Sequence, residues 1–208
     1  MLEHPYYALT DVAAQRAIVE HHPWALLMTA HPDGPVVSHL PVLLEPDQHG
    51  LTVRSHVARD DAALHGLGDH EVVLVFQGPH GYVSPSFYVA TPYVPTWNFV
   101  VLHLHGRPEL LDAAATYEVL NATVDHFESA RDEPWRLASV ADYADDLARF
   151  TVGFRLRPHR IVAKAKMSQD KDPAIIRRVV AALDDDPHHA DPDLAAYMRR
   201  LHDLGPGA

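Results

Sequence analysis

Short apolar runs, several of them alternating with polar residues, predict a chain built mainly from β-strands. Alternation with a period of two is typical of a strand that buries one face, and it is clearest in 51–56 and 101–111. The run 72–76 is apolar throughout, which predicts a strand buried on both faces. The predicted strands cover 24–30, 36–44, 51–56, 71–77, 101–111, 151–157 and 161–164.

The order of these strands favours antiparallel pairing. The first strands are joined by short segments of turn residues, without the helical crossovers that a doubly wound parallel sheet requires. The last two strands flank Pro158 and His159, and we expect them to form the final hairpin of the sheet. Pro41 lies inside the second strand, where it removes a backbone donor, so we expect a sheet edge or a bulge at that point.

Helical spacing occupies much of the remaining sequence. Helices are predicted from Asp11 to Pro23, over 113–131, over 140–150 and in the segment after Pro173. The predicted fold class is therefore mainly β with peripheral helices (α+β), an antiparallel barrel or sheet. We expect one principal domain over 1–170 and a helical C-terminal extension over 171–208.

The connector within 75–106 is unlike an ordinary hairpin loop. It concentrates proline, aromatic and hydroxyl residues over more positions than usually join two strands. Long loops of this kind are either functional or simply mobile. The connector is therefore a candidate binding loop, with a proline-stiffened surface excursion as the alternative.

Composition narrows the range of functions. The chain has 208 residues, 17 of them basic and 28 acidic, and its formal net charge of −11 argues against direct DNA binding. The absence of cysteine excludes disulfides and thiolate metal ligands. The sequence has no apolar run of membrane-spanning length and no signal peptide, so we expect a cytoplasmic protein with no membrane association.

Two groups of basic or imidazole side chains suggest possible ligands. Lys164, Lys166 and Lys171 are the only lysines, and their clustering indicates either a nearby anion or a solvated basic loop. His103 and His105 have a spacing compatible with one shared metal ion. Paired histidines are common in a chain with 17 of them, so we assign no metal site.

Five short motifs follow one another along the chain. They are Ser38-His39-Leu40-Pro41-Val42, Ser55-His56-Val57-Ala58-Arg59, the segment 76–86, Val94-Pro95-Thr96-Trp97-Asn98 and Lys166-Met167-Ser168-Gln169. In this order and spacing they resemble the FMN-binding negative transcriptional regulators of the PaiB type. The resemblance extends over 6–183, and the set of five motifs is much more specific than any one of them.

This resemblance implies a split β-barrel of the FMN-binding type, a homodimer with FMN near the subunit interface. The flavin ring is expected along the strand backbone at 38–42 and the phosphate around 55–59. The implied cofactor-binding residues are Ser38, His39, Leu40, Pro41, Val42, Ser55, His56, Arg59, Trp97, Asn98, Lys166 and Gln169. The chain carries Asp60 and Asp61 where the family commonly has Asn-Pro, which places two carboxylates beside the expected phosphate site.

The residue types in these motifs suit a flavin nucleotide. FMN needs cationic or hydroxyl donors for its phosphate, an apolar slot for its ring and backbone polar groups for its pyrimidine edge. Arg59, Ser55 and His56 are candidates for the first role, and the strand around Pro41 for the third. The apolar slot is assigned to Trp97, Leu40 and Val42.

Three functions remain open for such a site. The first is a flavin-linked regulator, which fits the family resemblance. The second is an FMN-dependent oxidoreductase that takes electrons from NAD(P)H, in which the cofactor performs the chemistry and the protein positions it. The third is a haem-binding or haem-degrading split barrel, for which the histidines give only loose support. No catalytic residue is assigned.

Overall fold

The computed structural model describes residues 1–46 and 50–205. Their strands are β1 (Trp24–His31), β2 (Gly34–Leu44), β3 (Val53–Ala58), β4 (Val72–Val83), β5 (Thr96–Gly106), β6 (Glu109–Leu110), β7 (Thr151–Leu156) and β8 (Arg160–Lys166). Their α-helices are α1 (Val12–His21), α2 (Arg59–His65), α3 (Pro85–Tyr88), α4 (Ala113–Glu128), α5 (Ala141–Ala148), α6 (Pro173–Asp185) and α7 (Pro192–Leu201). Short 3₁₀ helices cover Pro5–Tyr7 and Leu137–Val140.

The strands form one sheet in the order β6-β7-β3-β2-β1-β4-β5-β8. The pairings with a described register, which link β1, β2, β3, β4, β6 and β7, are all antiparallel, as predicted. The predicted final hairpin is wrong, because β7 pairs with β3 and β6 whereas β8 lies beside β5. Pro158 has no N–H to donate, and the His159 N–H donates to the His105 carbonyl (3.0 Å).

The chain divides into two compact units. One unit contains Met1–Thr10, Gln77–Val101 and the chain from Val162 onward, and the other contains Asp11–Phe76 and Leu102–Ile161. The strands β4, β5 and β8 contribute residues to both units. We call these the connector unit and the strand unit, and describe each separately.

The strand unit is built on strands with alternating burial. In β4, Val72, Leu74 and Phe76 are buried, whereas Val73 and Val75 are only half-buried. The prediction of burial on both faces was therefore wrong for one face of this strand. Alternation predicted for the third and fifth strands is present, and Asp11 caps α1 by accepting from the Ala14 N–H (2.8 Å).

Helices α6 and α7 of the connector unit bury apolar stripes, as their sequence spacing predicted. The buried residues are Ile175, Ile176, Val179, Val180 and Leu183 in α6 and Leu194, Ala195 and Met198 in α7. Throughout the described residues, we find no helix with both the length and the apolar character needed to cross a membrane.

Candidate functional site

Two of the five motifs lie where strands β2 and β3 separate. Strand β2 pairs with β1 from Gly34 to Pro41, but its ladder with β3 covers only Val42 to Leu44. Strand β3 continues past Ser55 to Ala58, where its described pairing is with β7. The segments 38–41 and 56–58 therefore lie beyond the end of the β2–β3 ladder, which leaves edge backbone groups for a ligand. We call this place the strand split.

Pro41 explains why the ladder ends there. Backbone N–H groups of successive strand residues point to opposite sides, and the Val42 N–H donates toward β1, to the Pro23 carbonyl (2.8 Å). A donor at position 41 would therefore point toward β3, and proline has none. The predicted interruption at Pro41 is present as the end of a ladder.

The Ser55 hydroxyl is already engaged at the split. Ser55 is almost fully buried, and its Oγ donates to the Pro41 carbonyl (2.5 Å). The side chain thus ties β3 to β2 at their last paired residues, and it offers no hydroxyl to a phosphate in this conformation.

His56, the next residue, lacks a partner on one ring nitrogen. Its Nδ1 is buried and has no hydrogen-bond partner among the described residues. Burial also lowers the pKa of His56, so the neutral ring is favoured. An unsatisfied buried nitrogen is costly, and a ligand group at the split is one way to satisfy it.

Alternation in β2 divides the predicted ring-binding residues between two faces. Leu40 and Val42 are buried in the core, so their side chains are not available as an apolar slot for a ring. His39 is exposed on the opposite face, and its ring stacks on Trp24 with centroids 6.3 Å apart. The segment 38–42 can therefore contact a flavin mainly through its backbone groups.

Ser38 joins a buried network that sequence reasoning missed. The ring of His65, fully buried in α2, shares hydrogen bonds with Ser38 Oγ through Nε2 (3.0 Å) and with Thr29 Oγ1 through Nδ1 (2.8 Å). His31 Nε2 shares a further hydrogen bond with Thr29 (3.2 Å). Burial lowers the pKa of His65, an effect that the Asp61 carboxylate opposes and His31 adds to. No motif marked His65, one of 17 histidines in the sequence.

Arg59 begins α2 at the far end of the motif and lines a cavity of about 820 Å³ in the strand unit. Its guanidinium donates to the carbonyls of Arg149 (3.0 Å, from Nε) and Thr151 (3.3 Å, from Nη2). Both partners are neutral, so the positive charge of Arg59 has no carboxylate among its described hydrogen-bond partners. Asp60 and Asp61 follow in the first turn of the helix and are not fully buried.

The remaining predicted residues belong to the connector unit. Asn98 is fully buried and donates to Ser168 Oγ (3.0 Å). The Gln169 side chain accepts from the Met167 N–H and donates to the Ala165 carbonyl (2.6 Å each). Asn98 and Gln169 therefore hold the turn after β8.

Trp97 is 54% exposed, and its ring lies against His80 (stacked, 6.4 Å) and Tyr82 (edge-on, 6.3 Å). Its backbone carbonyl accepts from Lys166 Nζ (3.0 Å).

The lysines have separate contacts. Lys164 Nζ lies over the rings of Tyr7 (5.7 Å) and Phe99 (5.5 Å), Lys166 donates to Thr96 and Trp97, and Lys171 pairs with Asp170.

The rings of His103 and His105 have centroids 6.4 Å apart. Among the residues with a described placement, no group of three or more histidines and carboxylates is arranged to hold a metal ion.

The groups at the strand split, together with Arg59 directly after it, fit a flavin nucleotide in part. Backbone edges and the unsatisfied His56 nitrogen suit polar edges of a ring, and Arg59 suits a phosphate. The buried Ser55, Leu40 and Val42 side chains do not contribute in this conformation.

Comparison with known proteins decides the family. The model of the family described as "Putative FMN-binding domain" matches residues 1–160, which include both strands of the split. The chain belongs to this FMN-binding family. A curated relative, "Protease synthase and sporulation protein PAI 2" of Bacillus subtilis (strain 168), is 26% identical over 196 residues, covering 93% of this chain and 94% of that protein.

Two solved structures have folds similar to that of this member of the FMN-binding family. The "FAD and Heme binding protein" of Mycobacterium smegmatis has a TM-score of 0.61 at 16% identity, covering 85% of this chain and 80% of that one. A conserved hypothetical protein of Mycobacterium tuberculosis has a TM-score of 0.58 at 12% identity, covering 83% and 94%. The predicted split-barrel fold class is confirmed by these likenesses.

Proposed function

We propose that the protein is a homodimeric FMN-binding protein that acts as a flavin-linked regulator. The observation that carries the proposal is the strand split, where Pro41 ends the β2–β3 ladder inside the region matched by the FMN-binding family model. The backbone of 38–41 would contact the flavin ring, and Arg59 would contact the phosphate. FMN, when bound, supplies reversible redox chemistry, and the protein contributes its binding and orientation.

Arg59 tests the cofactor part of the proposal. We expect Arg59→Ala to weaken FMN binding by about tenfold or more, because a charge-assisted hydrogen bond to the phosphate is lost. Quenching of flavin fluorescence during titration of the FMN-free protein measures the affinity. Arg131→Ala removes an exposed arginine that pairs with Glu128 and serves as the control.

Three results would count against this assignment. They are a wild-type protein that binds no FMN, an Arg59→Ala variant with wild-type affinity, and a haem Soret band in place of flavin absorption. Steady consumption of NADH or NADPH by the FMN-loaded protein would instead support an oxidoreductase over a regulator. The regulatory role draws on the resemblance to the PaiB type, and the net charge of −11 favours action through a partner protein over direct DNA contact.

The homodimer is supported by an apolar face of the strand unit. Trp24 is 62% exposed and Val37 44%, although both lie on strands of the sheet. Cross-strand pairing places Met28 beside Val37 on one side and beside Val73 on the other. The face thus continues over three strands, and apolar patches of this kind are typical of protein interfaces.

A charge on this face should separate the subunits. We expect Val37→Glu to convert a dimer into a monomer at micromolar concentration, because a carboxylate would be desolvated in the interface. Light scattering coupled to size-exclusion chromatography measures the mass. Leu64→Glu, at a 62% exposed position on α2, is the matched control and should remain dimeric. A monomeric wild-type protein, or a Val37→Glu variant that stays dimeric, would refute the interface.

A further inference from the structure

A second cavity, of about 310 Å³, lies entirely within the connector unit. Its size is at the lower end of the range typical of small-molecule sites. It lies between the connector and the turn after β8, and its lining includes Tyr88, Tyr93, Thr96, Asn98, Lys166 and Lys171.

The charge of Lys166 is not balanced by a hydrogen-bonded carboxylate. Among the described residues, its Nζ donates to Thr96 Oγ1 and to the Trp97 carbonyl, which are both neutral. The nearby carboxylate of Asp170, which also lines the cavity, forms an ion pair with Lys171. An ammonium group has three donors, so one remains for an anion. Burial lowers the pKa of Lys166, an effect that Lys164 and Lys171 add to and that the Asp170 carboxylate opposes.

Two tyrosine rings also line the cavity. Tyr88, almost fully buried, lies with its ring centroid 4.8 Å from that of Tyr93. Lys171 Nζ is 5.0 Å from the Tyr93 centroid, which fixes this ring by a cation–π contact. Pro92 and Pro95 add further apolar lining. Such a wall suits a planar apolar body more than a hydrated inorganic ion.

The turn that follows Lys166, the last residue of β8, is held in a strained conformation. Ser168 has φ of +62°, in the left-handed region that non-glycine residues seldom adopt. Asn98 and Gln169 hold it through the hydrogen bonds described above, and Tyr6 Oη donates to the Gln169 carbonyl (2.6 Å). Strain that neighbouring groups maintain in this way is concentrated at binding sites.

We propose that this cavity binds a small aromatic carboxylate, with the carboxylate on Lys166 Nζ and the ring against Tyr88 and Tyr93. Arg59 and the strand split belong to the strand unit, whereas the residues that line this cavity belong to the connector unit. Asn98 and Lys166 are among the residues that the family resemblance assigns to the cofactor, so competition with FMN distinguishes a separate site from a part of the flavin site. Asn98 and Gln169 are positioning residues of this site, because they shape the turn that presents Lys166.

Benzoate is the probe for the test. We expect isothermal titration calorimetry to detect binding of benzoate to the full-length protein at or below millimolar concentration. Lys166→Met, which keeps an apolar chain of similar length, should weaken binding by about tenfold or more. Lys164→Met is the matched control, since Lys164 is two residues away on the same strand, contacts Tyr7 and Phe99 and is not among the residues that line the cavity.

Two further measurements keep the proposal falsifiable if Lys166→Met fails to fold. Tyr93→Ala should weaken the binding of benzoate. Inorganic phosphate should bind this variant as poorly as it binds the wild-type protein. Competition with FMN separates the two sites, because FMN should not displace benzoate. The proposal is overturned if wild-type protein does not bind benzoate, if Lys166→Met or Tyr93→Ala binds it normally, if phosphate binds equally well, or if FMN displaces it.

Discussion

Gly153→Ala is expected to destabilise the protein by about 1–3 kcal/mol, as overpacking of a buried contact usually does. A Cβ atom on Gly153 would lie 2.8 Å from Thr116 Oγ1 and 3.0 Å from Thr116 Cα. Because one of these atoms is backbone, the methyl group can be accommodated only if α4 moves away from β7. The melting temperature should fall by roughly 2–4 °C for each kcal/mol.

This substitution should also affect the flavin site. Gly153 is the ladder partner of His56, so displacement of β7 moves the strand that forms one side of the split. We therefore expect weaker FMN binding together with the lower melting temperature. Gly50→Ala is the control, since a Cβ at that position meets nothing within 4 Å, and its stability should change by less than about 0.5 kcal/mol. If the Gly153→Ala protein is as stable as wild type, α4 can move away from β7 without lowering the free energy of unfolding, and this prediction is wrong.

Local patterns in the sequence predicted most strands and the cap of the first helix well, because these depend on neighbouring residues. The period-two alternation of β5 is an example, and so is the Asp11 cap of α1. Pairing between distant strands is different. Strand β8 has a clear strand pattern, but nothing in that pattern distinguishes β7 from β5 as its neighbour. The hairpin prediction failed because it assumed that the nearest strand in the sequence is the partner.

Side-chain direction within the predicted site could have been read from the sequence. Ser55 has the same parity in β3 as the apolar residues Val53 and Val57, and it is buried with them. Leu40 and Val42 share a parity in β2 in the same way. The resemblance indicated segments, and strand parity decides which side chains of those segments can contact a ligand.

Other features of the sites had no sequence signal. The network of His65, Thr29 and Ser38 depends on how α2 packs against two strands, and this is a tertiary property. Among the described residues, the hydrogen bonds of Lys166 go to neutral partners while Asp170 pairs with Lys171, and this arrangement is likewise a tertiary property. Clustering of the lysines indicated either a nearby anion or a solvated basic loop, and the pattern alone does not separate the roles of the three side chains.

Acid should destabilise the protein below about pH 6.5, the ordinary pKa of histidine. Burial lowers the pKa of His65, of His56 and of His103, and the neighbouring His105 and Arg160 add to the effect at His103. Between the lowered pKa and about 6.5, the unfolded chain binds more protons than the folded chain. Stability therefore rises with pH in this window and is lost as pH falls through it.

Each such histidine contributes up to about 1.4 kcal/mol per pH unit to the slope. Urea denaturation at several pH values between 5 and 8 measures this slope, and His65→Gln should reduce it by the contribution of one group. Glutamine can still form hydrogen bonds with Thr29 and Ser38, which limits the loss of stability at neutral pH. His188→Gln replaces an exposed histidine outside this network and serves as the control, which should keep the wild-type slope. A His65→Gln variant with the wild-type slope would mean that the pKa of His65 is the same in the folded and the unfolded protein. The Asp61 carboxylate, which raises the pKa of His65, would then be the cause.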